Sequence, residues 1–365
     1  MRASLVFFAA LLLAGASADS TRNSSPAAVT APLEEQLGQT FVVGIPGQTL
    51  DQETESLLRQ IRPGGIVLYR RNFASPAQLE ELIGRMQALA LETTRQPYLI
   101  MIDEEPGGAT RLGLFGNVFA FGEPDWIQIE RDISVLEKLG INVELAPVAD
   151  YPFNRNSFIR SRVPAHSVQA LTAFNQRFIE LLARHGISAT LKHFPGMGAF
   201  RTDPHHELPA GRVSTGGLDE SLRIFQDGIT AGAGLVMTGH AVYTNVDPGR
   251  PATLSSRIVT GILRRQMKFQ GLIITDDLSE MPFLEGTKMN LDQATCEALR
   301  AGHNMVLFSH KLHATKAVLD QVLTAAQSDP RLRSLISKDY ARIVAFKKNR
   351  RGPKPASAAI FGNGF

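Results

Sequence analysis

The most informative stretch of the sequence is segment 192–209, which is rich in proline, glycine and histidine and predicts a long functional loop. Within it, Asp203 and His205 stand two residues apart across Pro204. Residues two apart in an extended backbone point to the same side, so the carboxylate can orient and charge the imidazole. Such a pair predicts a general acid/base that works near neutral pH. His206 is the weaker candidate for this role.

A second pair of ionisable residues, Asp276 and Asp277, directly follows the apolar run 272–275. Cleavage of a glycosidic bond with retention of configuration needs a carboxylate that attacks from the face opposite the acid. Adjacent residues on a strand point to opposite faces, so only one aspartate should face a site while the other contacts the helix layer or caps a helix. Spacing alone leaves open which of the two it is.

Other ionisable residues also stand where apolar runs end. They are Asp103-Glu104-Glu105, Asp150, Lys192-His193 and His240. If the runs are parallel strands of one barrel, their carboxyl ends meet at a single face. A mouth lined with carboxylates, cations and imidazoles suits a polar, hydroxyl-rich or charged substrate.

Eight short apolar runs alternate with longer stretches of helical periodicity. The runs are 41–45, 65–69, 98–103, 143–150, 189–194, 235–240, 272–277 and 305–309. Strands that alternate with helices predict a parallel sheet, and eight units favour a closed (β/α)8 barrel over an open doubly wound sheet. Helices are predicted at 76–91, 127–139, 167–185, 218–231, 256–267, 291–301 and about 332–348, the last one outside the barrel.

Composition limits the functional classes. The chain has 365 residues, of which 44% are hydrophobic and 20% charged, as is typical of a globular enzyme. The formal net charge is +3, and a basic run occurs at Lys347, Lys348, Arg350 and Arg351. We interpret this run as a solvated tail and not as a nucleic-acid site, because no aromatic residues interleave it. The single cysteine, Cys296, excludes an internal disulfide and a cysteine-based zinc cluster.

The amino terminus has the pattern of a secretory signal: Arg2, the apolar stretch 5–14 and small residues at 16–18. This stretch is shorter than the roughly 20 residues of a membrane helix, so no membrane span is expected. We therefore predict a signal peptide (1–18), a linker (19–34), a single catalytic barrel domain (35–349) and a flexible tail (350–365). The mature protein is expected in the periplasm or outside the cell.

The loop motif resembles the K-H-F-P-G-H-G and D-S-H motifs of glycoside hydrolase family 3, specifically of its bacterial β-N-acetylglucosaminidases, which are β-N-acetylhexosaminidases. Here it reads Lys192-His193-Phe194-Pro195-Gly196-Met197-Gly198, then Asp203-Pro204-His205. Segment 64–72 is similar to the family's G-G-x-x-L-F-x-x-N, segment 103–111 to its D-Q-E-G-G-R-V-x-R, and segment 275–278 to its S-D-D-L. The resemblance extends from about Gly64 to Leu307.

The resemblance implies a retaining hydrolase of terminal β-linked N-acetylglucosamine that needs no cofactor or metal. It implies that Asp276 is the nucleophile and that Asp203 and His205 form the acid/base dyad. The sugar-binding set that it implies is Asp103, Arg111, Arg162, Lys192 and His193. The expected substrates are chitin-like amino-sugar oligosaccharides or muropeptides from cell-wall turnover. The leaving group and the oligomeric state stay open.

Five positions depart from the family motifs. Met197 replaces the histidine of P-G-H-G, Pro204 replaces the serine of D-S-H, Pro106 and Gly108 alter the D-Q-E-G-G-R segment, and Asn304 replaces an aspartate. Proline at 204 removes a backbone donor and stiffens the loop. These departures raise a second hypothesis, an exported amino-sugar-binding protein with impaired catalysis.

A third hypothesis is a metal-dependent barrel hydrolase with His193, His205, His240 and Asp276 as ligands. Its weakness lies in the first strand, 41–45, which lacks the paired histidines that such barrels usually supply.

Overall fold

The computed structural model describes residues 31–350, except 117, 120–122, 164, 166 and 280. The barrel strands are β1 (Phe41–Gly44), β2 (Gly65–Leu68), β3 (Leu99–Ile102), β4 (Val143–Glu144), β5 (Ser188–Phe194), β7 (Leu235–Thr238), β9 (Leu272–Asp277) and β10 (Met305–Phe308). Two short strands, β6 (Ala210–Gly211) and β8 (Val242–Tyr243), form a separate small sheet. The predicted signal peptide, most of the predicted linker and residues 351–365 of the predicted tail lie outside the described residues.

The eight barrel strands pair in parallel in the order in which they occur along the chain, and β10 pairs back with β1. Each of the eight apolar runs overlaps one of these strands, so the predicted closed (β/α)8 barrel is confirmed. Parallel pairing brings the carboxyl ends of all eight strands to one face of the barrel.

Helices surround the strands. They are α1 (Leu33–Gln39), α2 (Gln52–Ile61), α3 (Pro76–Thr94), α4 (Trp126–Lys138), α5 (Val168–Arg184), α6 (Thr215–Thr230), α7 (Met281–Thr287), α8 (Leu291–Ala301), α9 (Leu312–Ser328) and α10 (Pro330–Asn349). The predicted helix at 256–267 is a π-helix, Arg257–Gln266. Helix α2 was not predicted, although Asp51 accepts a hydrogen bond from Thr54 N and supplies an N-terminal cap. Helix α9 was not predicted either, and it begins without a side-chain cap.

Two apolar clusters form the core, because successive strand residues point to opposite sides of the sheet. Val42, Val67, Met101, Met237, Ile274 and Leu307 belong to the cluster inside the barrel. Val43, Ile66, Ile100, Val236, Ile273 and Val306 belong to the cluster between strands and helices. All of these side chains are buried, so the barrel is a packed support for its mouth.

Helix α10 closes the amino-terminal end of the barrel. Ile343 belongs to the interior cluster and Phe346 packs against it. Lys347 is 7% exposed and donates to Oε1 of Gln39, while Arg350 donates to Asn142 and to the carbonyl of Gly186. The interpretation of the basic run as a solvated tail is therefore wrong for Lys347 and Arg350. Burial, with a smaller effect of Arg350, lowers the pKa of Lys347 to about 7.

Within the described part of the chain, no helix is both long enough and apolar enough to cross a membrane.

Candidate active site

The candidate nucleophile lies at the carboxyl end of β9, where pairing with β10 changes register. Met305 pairs with Ile274 but Leu307 pairs with Asp277, so β9 contains one extra residue between these pairs. Such a bulge redirects side chains and is common next to active sites. It breaks the simple alternation along the strand, and for this reason spacing could not distinguish Asp276 from Asp277.

The two aspartates have different surroundings. Asp277 accepts hydrogen bonds from the backbone and hydroxyl of Ser279 through Oδ1 and from Ser309 through Oδ2. Asp276 keeps about a fifth of its side chain exposed, and its Oδ2 lies 3.8 Å from Nε2 of His193. Asp277 thus fixes the end of the strand, whereas Asp276 offers an oxygen to the mouth of the barrel.

Two imidazoles lie near Asp276, and both have further partners. His193 Nδ1 lies 2.7 Å from Oδ2 of Asp150. His240 Nε2 lies 3.0 Å from the carbonyl of Asp277, and its Nδ1 lies 2.8 Å from Oγ1 of Thr253. The rings are therefore held in fixed orientations by residues other than Asp276.

These imidazoles affect the charge of the candidate nucleophile. Burial raises the pKa of the Asp276 carboxyl, but His193 and His240 outweigh this effect, and the pKa lies below its usual value. Burial lowers the pKa of His240 more than Asp276 raises it. At neutral pH Asp276 is therefore an ionised carboxylate, as a nucleophile requires.

A network of charged side chains lies beside the aspartate. Lys192 Nζ lies 2.6 Å from Oδ1 of Asp103 and 2.7 Å from Oε1 of Glu105. Arg162 makes a two-pronged contact with Glu105, at 2.6 and 3.0 Å. Arg111 Nη2 lies 3.2 Å from Oδ2 of Asp103. The structure therefore links four members of the predicted sugar-binding set: Asp103 contacts Lys192 and Arg111 directly, and Glu105 connects Lys192 to Arg162.

The members of this network differ in how far their side chains are exposed. The side chains of Lys192 and Glu105 are only 3% and 1% exposed, whereas Asp103, Arg162 and Arg111 keep 15%, 24% and 30%. Burial raises the pKa of Glu105, but Lys192 and Arg162 outweigh it and hold the pKa far below its usual value. Glu105 is therefore charged at neutral pH. The partly exposed members of the network can reach the hydroxyls of a ligand.

The backbone around Glu105 explains one departure from the family motifs. A Cβ added at Gly108 would lie 2.0 Å from Oε2 of Glu105. That oxygen is already held by Arg162 and by the backbone of Ala109. Glycine at 108 therefore leaves room for the ion pair between Glu105 and Arg162.

The candidate acid/base lies on the predicted loop. Asp203 Oδ1 lies 2.6 Å from Nδ1 of His205 and accepts a hydrogen bond from the backbone of His205 at 3.0 Å. This contact engages the Nδ1 nitrogen of the His205 ring. The side chain of His205 is 57% exposed.

The first part of the loop is tied to the barrel. Gly196 O accepts from the hydroxyl of Tyr243, Pro195 O accepts from Ser221, and the backbone of Met197 donates to Oδ1 of Asp150. Met197 is 1% exposed and belongs to the cluster between strands and helices. The methionine that replaces the family's histidine is therefore a core residue.

Asn304 lies away from the mouth of the barrel. Its Oδ1 accepts from Arg264 and from the backbone of Ile273, and its Nδ2 donates to Asp339. This departure from the family motif thus affects packing between β9 and α10.

Sequence reasoning noted Asp150 and Glu105 as strand-end residues but did not include either in the sugar-binding set. Their positions at strand ends could have identified them as residues of the site. It overlooked Tyr69, whose ring lies 4.5 Å from the guanidinium of Arg71 and 5.1 Å from that of Arg111. Tyr69 stands at the aromatic position of the family's G-G-x-x-L-F-x-x-N segment and helps to orient Arg111.

Each histidine of the metal-site hypothesis already has another partner. His193 is bonded to Asp150, His205 to Asp203, and His240 to Thr253 and the backbone of Asp277. Among the described residues, no group of three or more His, Cys, Asp or Glu side chains is arranged to hold a metal ion.

A pair of buried glutamates, Glu104 and Glu144, lies under the charged network. Glu144 Oε1 accepts from the backbone of Glu104 at 2.8 Å, and Glu104 Oε1 accepts from the backbones of Arg111 and Leu112. Within the described part of the chain, Oε2 of neither glutamate has a hydrogen-bond partner. Burial raises the pKa of Glu104 from 4.5 to about 7 despite these backbone bonds, and it raises the pKa of Glu144 well above its usual value.

Glu104 should make the protein less stable as pH rises. An acid whose pKa is higher in the folded chain than in the unfolded chain holds its proton more tightly when the protein is folded. The resulting stabilisation of the fold is fully present below pH 4.5 and is lost as pH rises through about 7. The loss should be about 2 to 3 kcal/mol of unfolding free energy. Urea unfolding at a series of pH values should show that stability falls less steeply with pH in Glu104→Gln than in the wild type, while Glu144, whose pKa is also raised, keeps its own contribution.

The control is Glu81→Gln, on the exposed face of α3. It should keep the pH dependence of the wild type. Parallel pH curves for Glu104→Gln and the wild type would contradict the assignment of this slope to Glu104.

The chain is similar to known proteins of one family. Residues 32–344 match the model of the glycosyl hydrolase family 3 N-terminal domain. The chain is 32% identical over 254 residues to a β-hexosaminidase of Xanthomonas campestris pv. campestris, covering 65% of this chain and 75% of that protein.

Two solved structures are also similar. One is a glycoside hydrolase family 3 β-N-acetylglucosaminidase from Paenibacillus sp., with a TM-score of 0.82 and 29% identity over 91% of this chain and 65% of that one. The other is a β-N-acetylhexosaminidase from Beutenbergia cavernae, with a TM-score of 0.77 and 28% identity over 87% of this chain and 99% of that one. This chain thus spans about two thirds of the Paenibacillus protein and nearly all of the Beutenbergia protein.

Proposed function

Since this chain belongs to the glycosyl hydrolase family 3 N-terminal domain family, it is a glycoside hydrolase, and we propose that it releases terminal β-linked N-acetylglucosamine by a retaining mechanism. The observation that carries this proposal is the position of Asp276. Its partly exposed carboxylate lies 3.8 Å from His193, at the strand ends that also present Asp103 and Lys192. This arrangement supports a role for Asp276 as nucleophile beside groups suited to hold sugar hydroxyls.

In the first step, Asp276 attacks the anomeric carbon and the bond from that carbon to the leaving oxygen breaks. His205 donates its Nε2 proton to the leaving oxygen, while Asp203 stabilises the charged imidazole. In the second step, His205 takes a proton from water, the water oxygen attacks the anomeric carbon, and the carboxylate of Asp276 leaves. Two inversions at the same carbon retain its configuration.

The charged network would bind the terminal sugar. Asp103 and the guanidinium groups of Arg111 and Arg162 offer an acceptor and donors for its hydroxyls. Lys192 and His193 hold Asp103 and Asp276 in place from the buried side. Because these partners are fixed before a ligand arrives, little reorganisation is needed when charge develops at the anomeric carbon.

We also propose that the protein is exported, because its first 18 residues have the pattern of a cleavable signal. Export would place the enzyme beside cell-wall fragments or chitin-like sugars.

The direct test is hydrolysis of an aryl β-N-acetylglucosaminide and of the matching aryl β-glucoside. We expect kcat/KM to be at least about tenfold higher for the N-acetyl substrate, and proton NMR should show the β-anomer as the first product. A first product with the α-configuration would contradict the nucleophile assignment. Tight binding of N-acetylglucosamine without turnover would instead support the hypothesis of a sugar-binding protein.

A further inference from the structure

The side chain of Asp150, which ends the fourth apolar run, is completely buried beside segment 192–209. Its Oδ2 accepts a hydrogen bond from the backbone of His193 at 3.0 Å and lies 2.7 Å from Nδ1 of the same residue. Its Oδ1 accepts a hydrogen bond from the backbone of Met197 at 2.7 Å. One buried carboxylate thus contacts both the imidazole beside Asp276 and the beginning of the loop that carries the acid/base dyad.

The backbone around these contacts shows why a side chain is needed there. The backbone of Lys192 still pairs with segment 147–149, at 2.6 and 3.3 Å. On its other side, β5 changes register with β7 near its carboxyl end. The N–H of His193 lies in this irregular stretch, and its acceptor is the carboxylate of Asp150. A buried N–H without an acceptor would be costly, so Asp150 completes the pairing where regular strand pairing ends.

The same carboxylate determines how the ring of His193 is oriented. Both oxygens of Asp150 accept backbone N–H groups, and such charge-assisted hydrogen bonds stabilise the ionised form. An ionised carboxylate can only accept, so Nδ1 of the imidazole is the donor in the 2.7 Å contact. The other ring nitrogen, Nε2, lies 3.8 Å from Oδ2 of Asp276. The ring is therefore held with Nδ1 towards Asp150 and Nε2 towards Asp276.

From these contacts we propose that Asp150 is a positioning residue that acts on the reaction in two ways. Through His193 it orients the imidazole beside Asp276, and through Met197 it fixes the beginning of the loop that carries the acid/base dyad. This inference rests on the proposed function. Catalytic groups must be held close to their productive positions, so the loss of either contact should lower the rate although Asp150 does not touch the substrate.

The substitution Asp150→Asn should disturb both contacts, because all three partners of the carboxylate are donors. An amide has nearly the same shape but presents one oxygen and one NH2 group. If the oxygen faces His193, the NH2 group faces the backbone N–H of Met197. In the opposite orientation, the NH2 group faces the two N–H groups of His193. A donor then lies against a donor in a buried site, which weakens the hold on one partner or the other.

A double-mutant cycle tests the action through His193. The substrate is a dinitrophenyl β-N-acetylglucosaminide, because its activated leaving group does not need the acid. We expect Asp150→Asn to lower kcat/KM about 10- to 10³-fold in the wild-type background. In the His193→Ala background the same substitution should lower kcat/KM at most about threefold, since the imidazole is gone. Equal losses in the two backgrounds would show a merely structural role and overturn the inference.

The action through Met197 is tested with an aryl substrate whose leaving group is poor and needs the acid. In the His193→Ala background, Asp150→Asn should lower kcat/KM for this substrate about tenfold, because the beginning of the loop is still released. The dinitrophenyl substrate should not show this loss. If the poor leaving group shows no additional loss, Asp150 does not act through Met197.

The matched control is Asp339→Asn. Asp339 is 8% exposed and accepts a hydrogen bond from Asn304, away from the mouth of the barrel. This variant should keep the wild-type rates on both substrates. If circular dichroism shows that Asp150→Asn is unfolded, Asp150→Ser takes its place in the cycle, because a hydroxyl can still accept one backbone N–H. No turnover of either substrate by the wild type would instead contradict the proposed function, and this inference with it.

Discussion

Replacement of Asp276 by asparagine is expected to reduce kcat on an aryl β-N-acetylglucosaminide by roughly 10⁴-fold or more. Asparagine has nearly the same shape but cannot form the glycosyl ester with the anomeric carbon. Its amide also fails to stabilise the positive charge that develops on the sugar ring. Steady-state kinetics with unchanged circular dichroism would establish that the loss is chemical.

Two further experiments test whether the loss of activity is due to the missing nucleophile at Asp276. Asp277→Asn should lower kcat far less. The carboxylate of Asp277 accepts hydrogen bonds from Ser279 and Ser309 and stabilises the end of β9. Azide should restore turnover to Asp276→Ala and give the α-glycosyl azide, since a small anion can then attack the anomeric carbon. Equal losses in the two asparagine variants would contradict the assignment of the nucleophile.

The second large effect is expected for His205→Ala, which should lower kcat/KM by about 10²- to 10⁴-fold for a substrate with a poor leaving group. In the proposed mechanism the imidazole donates the proton to the leaving oxygen, whereas an activated phenol does not need that proton. The loss should therefore be much smaller for a dinitrophenyl glycoside. Rates for a series of aryl substrates would measure this dependence on the leaving group.

The protein contains a matched control for the dyad. His185 Nδ1 lies 2.6 Å from Oε2 of Glu137, the same separation as in the pair formed by His205 and Asp203. This pair joins α4 to the carboxyl end of α5, outside the candidate site. His185→Ala should keep wild-type kinetics. A loss for His205→Ala that is equal for all leaving groups would contradict its role as the acid.

Much of the fold follows from local sequence. Short runs rich in β-branched residues define the eight strands, and residues such as Ser75 and Asn290 define helix starts because their side chains cap the first turn. Parallel strands that alternate with helices must bring their carboxyl ends to one face. The sequence therefore determined that Asp103, Lys192, His193 and Asp276 would meet at the mouth of a barrel.

The side-chain directions at that mouth were decided by tertiary structure. Bulges in β5 and β9 shift the pairing at Lys192 and Asp276, so counting residues along the strands does not tell which side chains face inward. Only the assembled barrel places Glu105 between Lys192 and Arg162, which are far apart along the chain. It also buries Lys347, whose local sequence looks like a solvated run, because α10 closes the barrel there. These outcomes depend on contacts between distant segments, which local propensity does not encode.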